Sequence, residues 1–506
     1  MNAEPRHDPS LAARRLGIDT YLEPVVFMRA DCHVCRAEGF AARSRVKVTL
    51  RDKSIVATLN VVHTDWLLPD EAGFSEHAWR MLGARAGDRV RFSHPDPIES
   101  ESLLRRKVYG SRLDAAQMRS IIDDVAAGAY SDLQLAAFVT ACAGDRLDRD
   151  ETFGLTRAMV DIGTRIRWEF PVVADKHCVG GLPGNRTTLI VVPIVAACGL
   201  PIPKTSSRAI TSPAGTADTM ETLAPVALDL PAMRRVVERE GGCVVWGGAV
   251  ALSPTDDVLI QVERPLDFDS EGQLVASVLS KKAAAGATHV VIDIPVGASA
   301  KVRSPAAARS LSEHLHYVAH RLGLTLRIME TDGAQPVGRG IGPALEAHDV
   351  LAVLQRRRGA AQDLRERALL IAGAVLELAG RAATGQGAVA AAAALDDGRA
   401  WAKFQAICEA QGGMREPPRA RYRHAVPAGA AGRIAAFDNR RLARMAKLAG
   451  APRAHAAGLE MHVQLGDLVT SDQPLFTLHA EAPGELEYAK RYLDEQPGIV
   501  VLEDAA

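Results

Sequence analysis

This 506-residue sequence has few cysteines, no apolar run long enough to cross a membrane and no apolar stretch in its first residues. It contains only seven cysteines, an odd number, and their wide scatter favours a reducing compartment over a disulfide framework. The longest apolar run, residues 189–203, is interrupted by two prolines and is too short to cross a bilayer. The first residues, MNAEPRHDPSLAARR, mix both charge signs and hold no apolar stretch, unlike a secretory signal. We therefore expect a cytoplasmic protein.

The sequence also has no excess of charge of either sign. Lysine and arginine number 60, and aspartate and glutamate number 61, for a formal net charge of −1. Binding to nucleic acid or to an anionic membrane surface favours a strong positive excess. We therefore expect neither as a partner, and any anion site must be built locally. With 47% hydrophobic residues, a chain of this length should form several globular domains.

Signatures of metal and nucleotide-triphosphate sites are missing as well. Cys32 and Cys35 form a CxxC spacing, but a zinc site needs about four ligands and no second pair follows nearby. We interpret these cysteines as a structural pair. The chain lacks the GxxxxGK[ST] loop that cradles nucleotide phosphates. The sequence thus predicts no metal and no cofactor.

Periodic patterns in the first third of the chain indicate two domains. Alternation over residues 44–50 and 54–63 predicts strands of a β-rich N-terminal domain, which we place at residues 1–98. Three segments that begin with aspartate and end at glycine predict the helices of a second domain at residues 99–165. These segments are residues 114–128, 132–144 and 150–163.

Strands alternate with helices farther along the chain. Residues 288–297 and 324–333 are buried-strand patterns, and they indicate a mostly parallel α/β domain at residues 166–415. Short alternating strands then predict an α+β C-terminal domain at residues 416–506. The expected fold class is multidomain α/β, with ligands at the carboxyl ends of the parallel strands.

Two glycine-bearing loops lie at such strand ends. Residues 175–185 read DKHCVGGLPGN, and residues 204–219 read KTSSRAITSPAGTADT. Each leads into a helix start, where free N–H groups and the helix dipole favour an anion. Together they supply a lysine, an arginine and several hydroxyls. This combination predicts a site for inorganic phosphate or a phosphate monoester.

The two loops resemble the thymidine/pyrimidine-nucleoside phosphorylase family. Residues 206–226, SSRAITSPAGTADTMETLAPV, are most similar to its AMP phosphorylase branch, and the resemblance extends from about residue 100 to the end. It implies that inorganic phosphate, as a co-substrate, cleaves an N-glycosidic bond to give free base and a pentose 1-phosphate. It also implies a cleft between the helical and α/β domains, and a homodimer or larger homo-oligomer.

The resemblance implies four phosphate contacts, at Lys176, Thr188, Ser206 and Thr216. Lysine supplies a point charge, and the hydroxyls donate without adding charge repulsion. The family's usual serine two positions after this lysine is Cys178 here, whose thiol is a weak donor. That contact either weakens or passes to backbone N–H groups.

Arg208 has two interpretations, since it could bind phosphate through two parallel hydrogen bonds or hold its own loop by an ion pair. The family pattern also implies substrate contacts along both loops. These lie at Gly181, Ser207, Arg208, Ala209, Ile210, Thr211, Ser212 and Thr216.

Two residues are candidates for assisting the departing base. Asp269 matches the proton donor of the AMP phosphorylase branch, although it could instead cap the helix that follows. His177 could donate a proton or a hydrogen bond to the base, or it could be a structural histidine that supports the loop.

The segment SVLSKK, residues 277–282, matches the SxxxK base-binding helix of the family. Ser277 and Lys281 lie one turn apart and share a face. Arg264 is a candidate for the arginine that assists them. Lys301 matches a substrate-contacting lysine of the AMP phosphorylase branch.

The substrate therefore has three interpretations. Thymidine is the nominal substrate, because the SxxxK pattern is intact and Arg264 is available. A nucleoside 5′-monophosphate such as AMP is the alternative, because the second loop and Lys301 match that branch. A phosphoribosyltransferase-like relative is the second alternative, but such a protein would lack the Lys176-His177 pair and the SxxxK helix.

Overall fold

The computed structural model describes residues 9–209, 212–266 and 270–504. The chain forms two compact units. One comprises Met1–Ser111 with Arg119–Ala141, and the other comprises Arg112–Met118 with Cys142–Ala506. The four domains expected from the sequence, with their three boundaries, stay a prediction, because the two compact units divide the chain at other positions.

Six strands of the first unit form a closed barrel in the order β1-β5-β2-β4-β3-β6. Their inward residues alternate with outward ones, and the buried set includes Phe74 and Phe92 at the core. The predicted strand patterns at 44–50 and 54–63 correspond to β3 and β4. The strands are β1 (Ser10–Arg15), β2 (Val25–Arg29), β3 (Arg45–Leu50), β4 (Lys53–Val62), β5 (Glu71–Phe74) and β6 (Arg89–Ser93).

Six α-helices lie within the described residues 9–165. Asp148 caps the sixth helix through a capping box with Glu151, so the predicted start at Asp150 is two residues late. The helices are α1 (His33–Glu38), α2 (Glu76–Leu82), α3 (Glu101–Val108), α4 (Ala115–Ala126), α5 (Asp132–Ala141) and α6 (Arg149–Ile162).

Parallel strands organise the second unit. The order β11-β10-β7 forms one parallel sheet, and β8 pairs in parallel with β9. This agrees with the predicted parallel pattern and brings the ends of β7 and β8 to the two glycine-bearing loops. The strands are β7 (Ala174–Cys178), β8 (Ile202–Ser206), β9 (Gly242–Trp246), β10 (His289–Val296) and β11 (Thr325–Asp332).

Ten α-helices of the described chain accompany these strands. The first of them, TLIVVPIVAA, is apolar all round and almost wholly buried, as expected for a helix inside a core. It packs with later helices of the unit and thereby fixes Thr188 at its own first position. They are α7 (Thr188–Ala197), α8 (Thr216–Glu221), α9 (Leu230–Glu240), α10 (Pro254–Leu266), α11 (Glu271–Ala284), α12 (Pro305–Arg321), α13 (Pro343–Leu354), α14 (Gln362–Leu378), α15 (Gly387–Asp396) and α16 (Arg399–Ala410).

The C-terminal part contains two small sheets and two helices, in the orders β12-β15-β17-β13 and β16-β14-β18. The short strand β12 comes from the α/β segment and pairs antiparallel with β15. The elements are β12 (Gly340–Ile341), β13 (Tyr422–Pro427), β14 (Gly432–Phe437), α17 (Asn439–Leu448), β15 (Gly458–Met461), β16 (Leu468–Val469), β17 (Pro474–Ala480), α18 (Pro483–Glu495) and β18 (Val500–Glu503).

This arrangement of a barrel, helices, parallel α/β sheets and a C-terminal α+β region confirms the multidomain α/β class. Within the described ranges, no helix combines the length and the apolar content needed to cross a membrane.

Candidate functional site

Lys176 lies on β7 with only 1% of its surface exposed. Its Nζ donates to Thr187 Oγ1 at 2.8 Å and to Thr188 Oγ1 at 3.3 Å. Burial lowers the pKa of Lys176; Asp293 opposes that shift, although among the described residues no carboxylate forms an ion pair with this lysine. An ammonium group can only donate, so both hydroxyls accept and keep their own protons for another acceptor.

Glycines shape the first loop by allowing close approach. Gly181 has φ +82°, and a Cβ there would lie 2.2 Å from the backbone nitrogen of Lys301. Gly184 has φ +67°, and a Cβ there would lie 2.3 Å from the carbonyl oxygen of Val337. Both positions therefore require glycine for backbone conformation and for space. Gly181 in this way brings Lys301 against the loop.

The second loop closes around Asp218. Asp218 Oδ2 accepts from the backbone nitrogens of Ala209 at 2.6 Å and Gly215 at 2.8 Å. A Cβ at Gly215 would lie 2.6 Å from the Ala209 nitrogen, so the loop folds tightly on itself. Sequence reasoning missed Asp218, although an acidic residue three positions after a glycine N-cap is a recognisable helix-start signal.

The other predicted contacts of the second loop differ in whether their polar groups already have hydrogen-bond partners. The Oγ of Ser206 is buried and has no hydrogen-bond partner in the described part of the chain. Ser207 uses its carbonyl to accept from Ala217, and Ser212 Oγ donates to the Ala214 carbonyl. The contacts predicted at Ile210 and Thr211 lie outside the described residues.

Arg208 holds its own loop by ion pairs. Its Nη1 and Nη2 donate to the two carboxylate oxygens of Glu221 at 2.5 and 2.8 Å, and Nη1 also reaches Asp218 at 3.3 Å. The guanidinium stacks over Trp246, 5.0 Å from the ring centre. Of the two interpretations of Arg208, phosphate binding and an ion pair within its own loop, the structure shows the ion pair.

A buried charge cluster lies beneath His177. Asp175 pairs with Lys204 at 3.4 Å and with Lys282 at 2.8 Å, and all three are at most 4% exposed. Burial alone would raise the pKa of Asp175, but the two lysines lower it below its usual range. Burial lowers the pKa of Lys204 to about 7, so near neutral pH this lysine carries only part of a charge and the positive excess of the cluster is small. Sequence reasoning missed Lys204 and Lys282, since nothing local links them to Asp175.

His177 is held neutral by these surroundings. Burial, and then the positive charges of Lys282 and Lys204, lower the pKa of His177 well below its ordinary value. At neutral pH its ring can donate one N–H hydrogen bond but carries no extra proton to transfer. The lowered pKa favours a hydrogen bond over proton transfer at the base, while the choice between a role at the base and a structural role for His177 stays a prediction.

Cys178, at the family's serine position, remains a thiol. Burial first, and Asp293 second, raise the pKa of Cys178 to about 12. Its Sγ accepts from Asn185 Nδ2 at 3.4 Å. The thiol is thus engaged with its own loop, and any donor at this position is weak.

Lys281 on α11 is paired with a carboxylate. Its Nζ lies 2.5 Å from Asp256 Oδ2 and donates to Ser277 Oγ at 3.3 Å, so Ser277 and Lys281 share a face as predicted. Burial opposes the charge, but Asp256 and its acidic neighbours raise the pKa of Lys281 above its usual value. Sequence reasoning missed Asp256, which is 25 residues away from Lys281 in the chain.

Two further predicted site residues precede α11. Asp269 lies outside the described residues, as does the side chain of Arg264. Ser270 caps α11, because its Oγ accepts from the Gln273 nitrogen. The alternative that Asp269 serves as this helix cap is therefore wrong.

The arrangement collects donors that lack acceptors. Lys176 has one N–H beyond its two threonine bonds, and Thr188, Ser206 and Thr216 each retain a hydroxyl proton for which the described chain offers no acceptor. Thr188 also begins the ten-residue helix α7. Such a set of donors can hold a dianion. In the described ranges, no three His, Cys, Asp or Glu side chains group to hold a metal ion.

Three stretches of the chain match known protein families. Residues 101–163 match the helical bundle domain of a glycosyl transferase family, and residues 171–401 match the α/β domain of that family. Residues 433–499 match the pyrimidine nucleoside phosphorylase C-terminal domain.

Curated relatives are similar over nearly the full length. A protein of Polaromonas sp., named "Putative thymidine phosphorylase", is 65% identical over 496 residues, which cover 98% of this chain and 97% of the relative. A relative in Acidovorax sp. is 63% identical over 506 residues, with 100% and 99% covered. One in Legionella pneumophila is 58% identical over 492 residues, with 97% and 95% covered. Both bear the same name, with a number in Acidovorax.

A solved structure shares the fold. The anthranilate phosphoribosyltransferase of Thermus thermophilus superposes with a TM-score of 0.51 at 20% identity, covering 61% of this chain and 98% of that one. At this identity the likeness concerns the fold alone.

Proposed function

Because this chain belongs to the thymidine/pyrimidine-nucleoside phosphorylase family, we propose that it cleaves thymidine with inorganic phosphate. The products are thymine and 2-deoxyribose 1-phosphate, and the reaction is reversible. It is a pentosyl transfer, in keeping with the glycosyl transferase domains that the chain contains.

The observation that carries this proposal is the unpaired charge of Lys176. A buried ammonium without a counter-ion is unfavourable unless a ligand supplies the negative charge. The acceptors around it are hydroxyls, which leave their protons for that ligand. Inorganic phosphate brings both the charge and the acceptor oxygens that Lys176, Thr188, Ser206 and Thr216 lack.

The proposed mechanism is mainly positioning and electrostatic stabilisation. A phosphate oxygen held by Lys176 attacks the anomeric carbon as the bond to thymine breaks. Electron density moves onto the departing base, where Lys281 and Ser277 hydrogen-bond its carbonyls. Neutral His177 donates a further hydrogen bond to the base. No step calls for a metal or a cofactor.

Several residues enter the proposal through the family pattern. Arg264 would assist at the base, and Lys301, which lies against Gly181, would contact the substrate. Asp269 becomes the proton donor if the substrate is a purine nucleotide, since a purine departs more easily once protonated. The expected homodimer or larger homo-oligomer stays a prediction, which analytical ultracentrifugation tests by measuring the mass of the assembly in solution.

The test is release of free base from thymidine, uridine, CMP, UMP and AMP by the purified protein, with phosphate, with arsenate and with neither. We expect thymidine to be cleaved only when one of the anions is present, and chelators to have no effect. Faster phosphate-dependent cleavage of AMP would overturn the thymidine assignment. Cleavage of thymidine at the same rate without phosphate or arsenate would overturn phosphorolysis itself.

A further inference from the structure

The two loops of the site meet through Arg186. This residue lies between the first loop and Thr187, and its side chain is only 13% exposed. Its Nη1 donates to Thr216 Oγ1 at 2.9 Å, and its Nη2 donates to the Ala214 carbonyl at 3.0 Å. Both acceptors belong to the second loop, at the start of α8. One side chain therefore sets the spacing between the loops.

Glu346 holds Arg186 from the other side. Its Oε2 accepts from Arg186 Nε at 2.6 Å and from Thr219 Oγ1 at 3.1 Å. Its Oε1 accepts from the Gly342 nitrogen at 3.3 Å, and the side chain is fully enclosed in the first turn of α13. Because this carboxylate balances the guanidinium, Arg186 offers a phosphate little net charge. Its contribution is to fix the positions of Thr216 and Ala214, to which it donates hydrogen bonds.

The direction of the bond to Thr216 has a chemical consequence. A guanidinium can only donate, so Thr216 Oγ1 accepts and its own proton must point away from Arg186. Lys176 constrains Thr187 and Thr188 in the same way. The hydroxyls of both loops are thus fixed as donors toward a shared ligand before that ligand arrives, which reduces the cost of ordering them on binding.

We propose that Arg186 is a positioning residue for phosphate, which fixes the distance between the loops and turns the Thr216 hydroxyl proton toward the anion. The proposal rests on the proposed function, since phosphate is the ligand in question. Its consequence is specific: loss of Arg186 weakens phosphate binding through Thr216, while binding of the nucleoside is changed much less.

A double-mutant cycle tests this coupling. We would measure kcat and KM for phosphate and for thymidine in wild type, Arg186→Met, Thr216→Val and the double variant. Each single change should raise the phosphate KM roughly tenfold, as loss of a hydrogen bond involving a charged group does. The double variant should be little worse than Thr216→Val, because no hydroxyl remains to be positioned. Multiplicative effects, near a hundredfold, would overturn the proposal.

Two further variants separate geometry from charge and from general stability. Arg186→Lys keeps a cation but cannot reach three acceptors in fixed directions, so its phosphate KM should stay raised. Added guanidinium ion should restore phosphate binding to Arg186→Ala. As a matched control, Arg365→Met removes an ion pair with Asp396 and should leave both KM values unchanged. A normal phosphate KM in Arg186→Lys would contradict the geometric role.

Calorimetric titration with inorganic phosphate alone distinguishes this proposal from the proposed function. If wild type binds phosphate but does not cleave thymidine, the proposed function fails, and a weaker phosphate affinity in Arg186→Met still supports positioning. If wild type is active and Arg186→Met binds phosphate equally well, the positioning role is overturned. Thermal unfolding shows which variants are folded, and Arg186→Lys replaces Arg186→Met in the comparison if the latter is not.

Discussion

Two lysines of the α/β unit differ in what surrounds their charge. Lys176 is enclosed by hydroxyls and has no carboxylate in ion-pair contact within the described chain, whereas Lys281 sits 2.5 Å from Asp256. Their pKa values accordingly move in opposite directions, lowered by burial at Lys176 and raised at Lys281, where Asp256 outweighs burial. The end of the site at Lys176 therefore lacks a negative charge, whereas the end at Lys281 already contains the carboxylate of Asp256.

This difference indicates the charge of the ligand at each end. A buried cation without a counter-ion is stabilised by an anionic ligand, while a neutralised cation can still donate a hydrogen bond to a neutral group such as a base carbonyl. The phosphate end and the base end can thus be told apart by electrostatics, without a bound molecule.

Replacing Lys176 should give the largest loss of activity together with a gain or no loss of stability. Lys176→Met should lower kcat/KM for phosphate by about a hundredfold or more, as removal of a transition-state charge contact does. The same change removes an uncompensated buried charge, so the free energy of unfolding should stay equal or rise by about 1 kcal/mol. Kinetics and urea unfolding measure the two effects.

The matched control for Lys176→Met is Lys490→Met, which removes the ion pair with Glu487 on α18. We expect it to change neither quantity appreciably. If Lys176→Met retained near wild-type phosphorolysis, the phosphate end would be misplaced. If it unfolded much more easily than wild type, Lys176 would be a structural cation and the comparison with Lys281 would lose its basis.

Replacing Lys281 should have the opposite effect on stability. Lys281→Met leaves Asp256 buried without a partner, so the protein should lose roughly 1–3 kcal/mol of unfolding free energy. The thymidine KM should rise about tenfold while the phosphate KM changes little. Lys281→Met with Asp256→Asn should recover stability but not thymidine binding. Recovery of both would mean that Lys281 acts only through its ion pair.

Asp269→Asn distinguishes the two candidate substrates within the same experiment. If thymidine is the substrate, this change should cost much less in kcat/KM than Lys281→Met does, because thymine departs with its charge stabilised at its carbonyls. If AMP is the substrate, Asp269→Asn should abolish activity. A mild, equal loss for both variants on the preferred substrate would remove α11 from the site.

The sequence predicts the elements of this site better than it predicts their partners. The strand ends, the glycine-bearing loops and the shared face of Ser277 and Lys281 depend on local periodicity and turn chemistry, which nearby residues encode. The pairing of Arg186 with Glu346 spans 160 residues, and that of Asp175 with Lys282 spans more than a hundred. Such contacts depend on tertiary packing, which a single sequence does not display.

Arg208 illustrates the same limit at short range. Its sequence position allowed a phosphate contact and an ion pair equally, because both use the same fork of donors. Glu221 is only 13 residues away, yet it faces Arg208 because the second loop folds back at Gly215 and begins α8 there. The start of α6 could not be predicted to the residue either, since Asp148 and Asp150 are both good N-caps by residue type.

His177 should make a moderate contribution to the pH dependence of stability. Its pKa in the folded protein is below the unfolded value, so below about pH 6.5 the unfolded chain takes up a proton that the folded chain does not. Stability should therefore fall as pH drops below that value, by up to about 1.4 kcal/mol per pH unit for this one group. Above it, His177 contributes nothing.

His177→Asn should remove that part of the acid sensitivity. We would compare urea unfolding at pH 7 and pH 5 for wild type, His177→Asn and the exposed-residue control His316→Asn. The difference between the two pH values should shrink only in His177→Asn. An unchanged difference would show that His177 takes up protons freely in the folded state. His177 would then again be a candidate acid for the departing base, and the base end of the site would no longer differ so clearly in charge from the phosphate end at Lys176.

Cys32 and Cys35 contact each other at the start of α1 in the barrel unit, and their interpretation as a structural pair stays a prediction. Cys32 caps α1, since its Sγ accepts from the Cys35 nitrogen at 3.2 Å. The hydrogen bond from Cys35 lowers the pKa of Cys32 to about 6 and raises that of Cys35. Near neutral pH Cys32 is therefore mostly a thiolate, stabilised by the Cys35 thiol and by the backbone N–H groups of Cys35 and Val34.

The smallest effect is therefore expected at this cysteine pair. Serine is also a good helix cap, so Cys32→Ser with Cys35→Ser should keep kcat/KM within about twofold. Cys32→Ala should lose about 1 kcal/mol of stability with the cap. Phosphorolysis, thermal unfolding and zinc content measured on the same preparations decide the matter. About one zinc per wild-type chain, absent from the double variant, would show that this pair binds a ligand. An unpaired charge such as that of Lys176 would then not be the feature that distinguishes ligand-binding residues from structural ones.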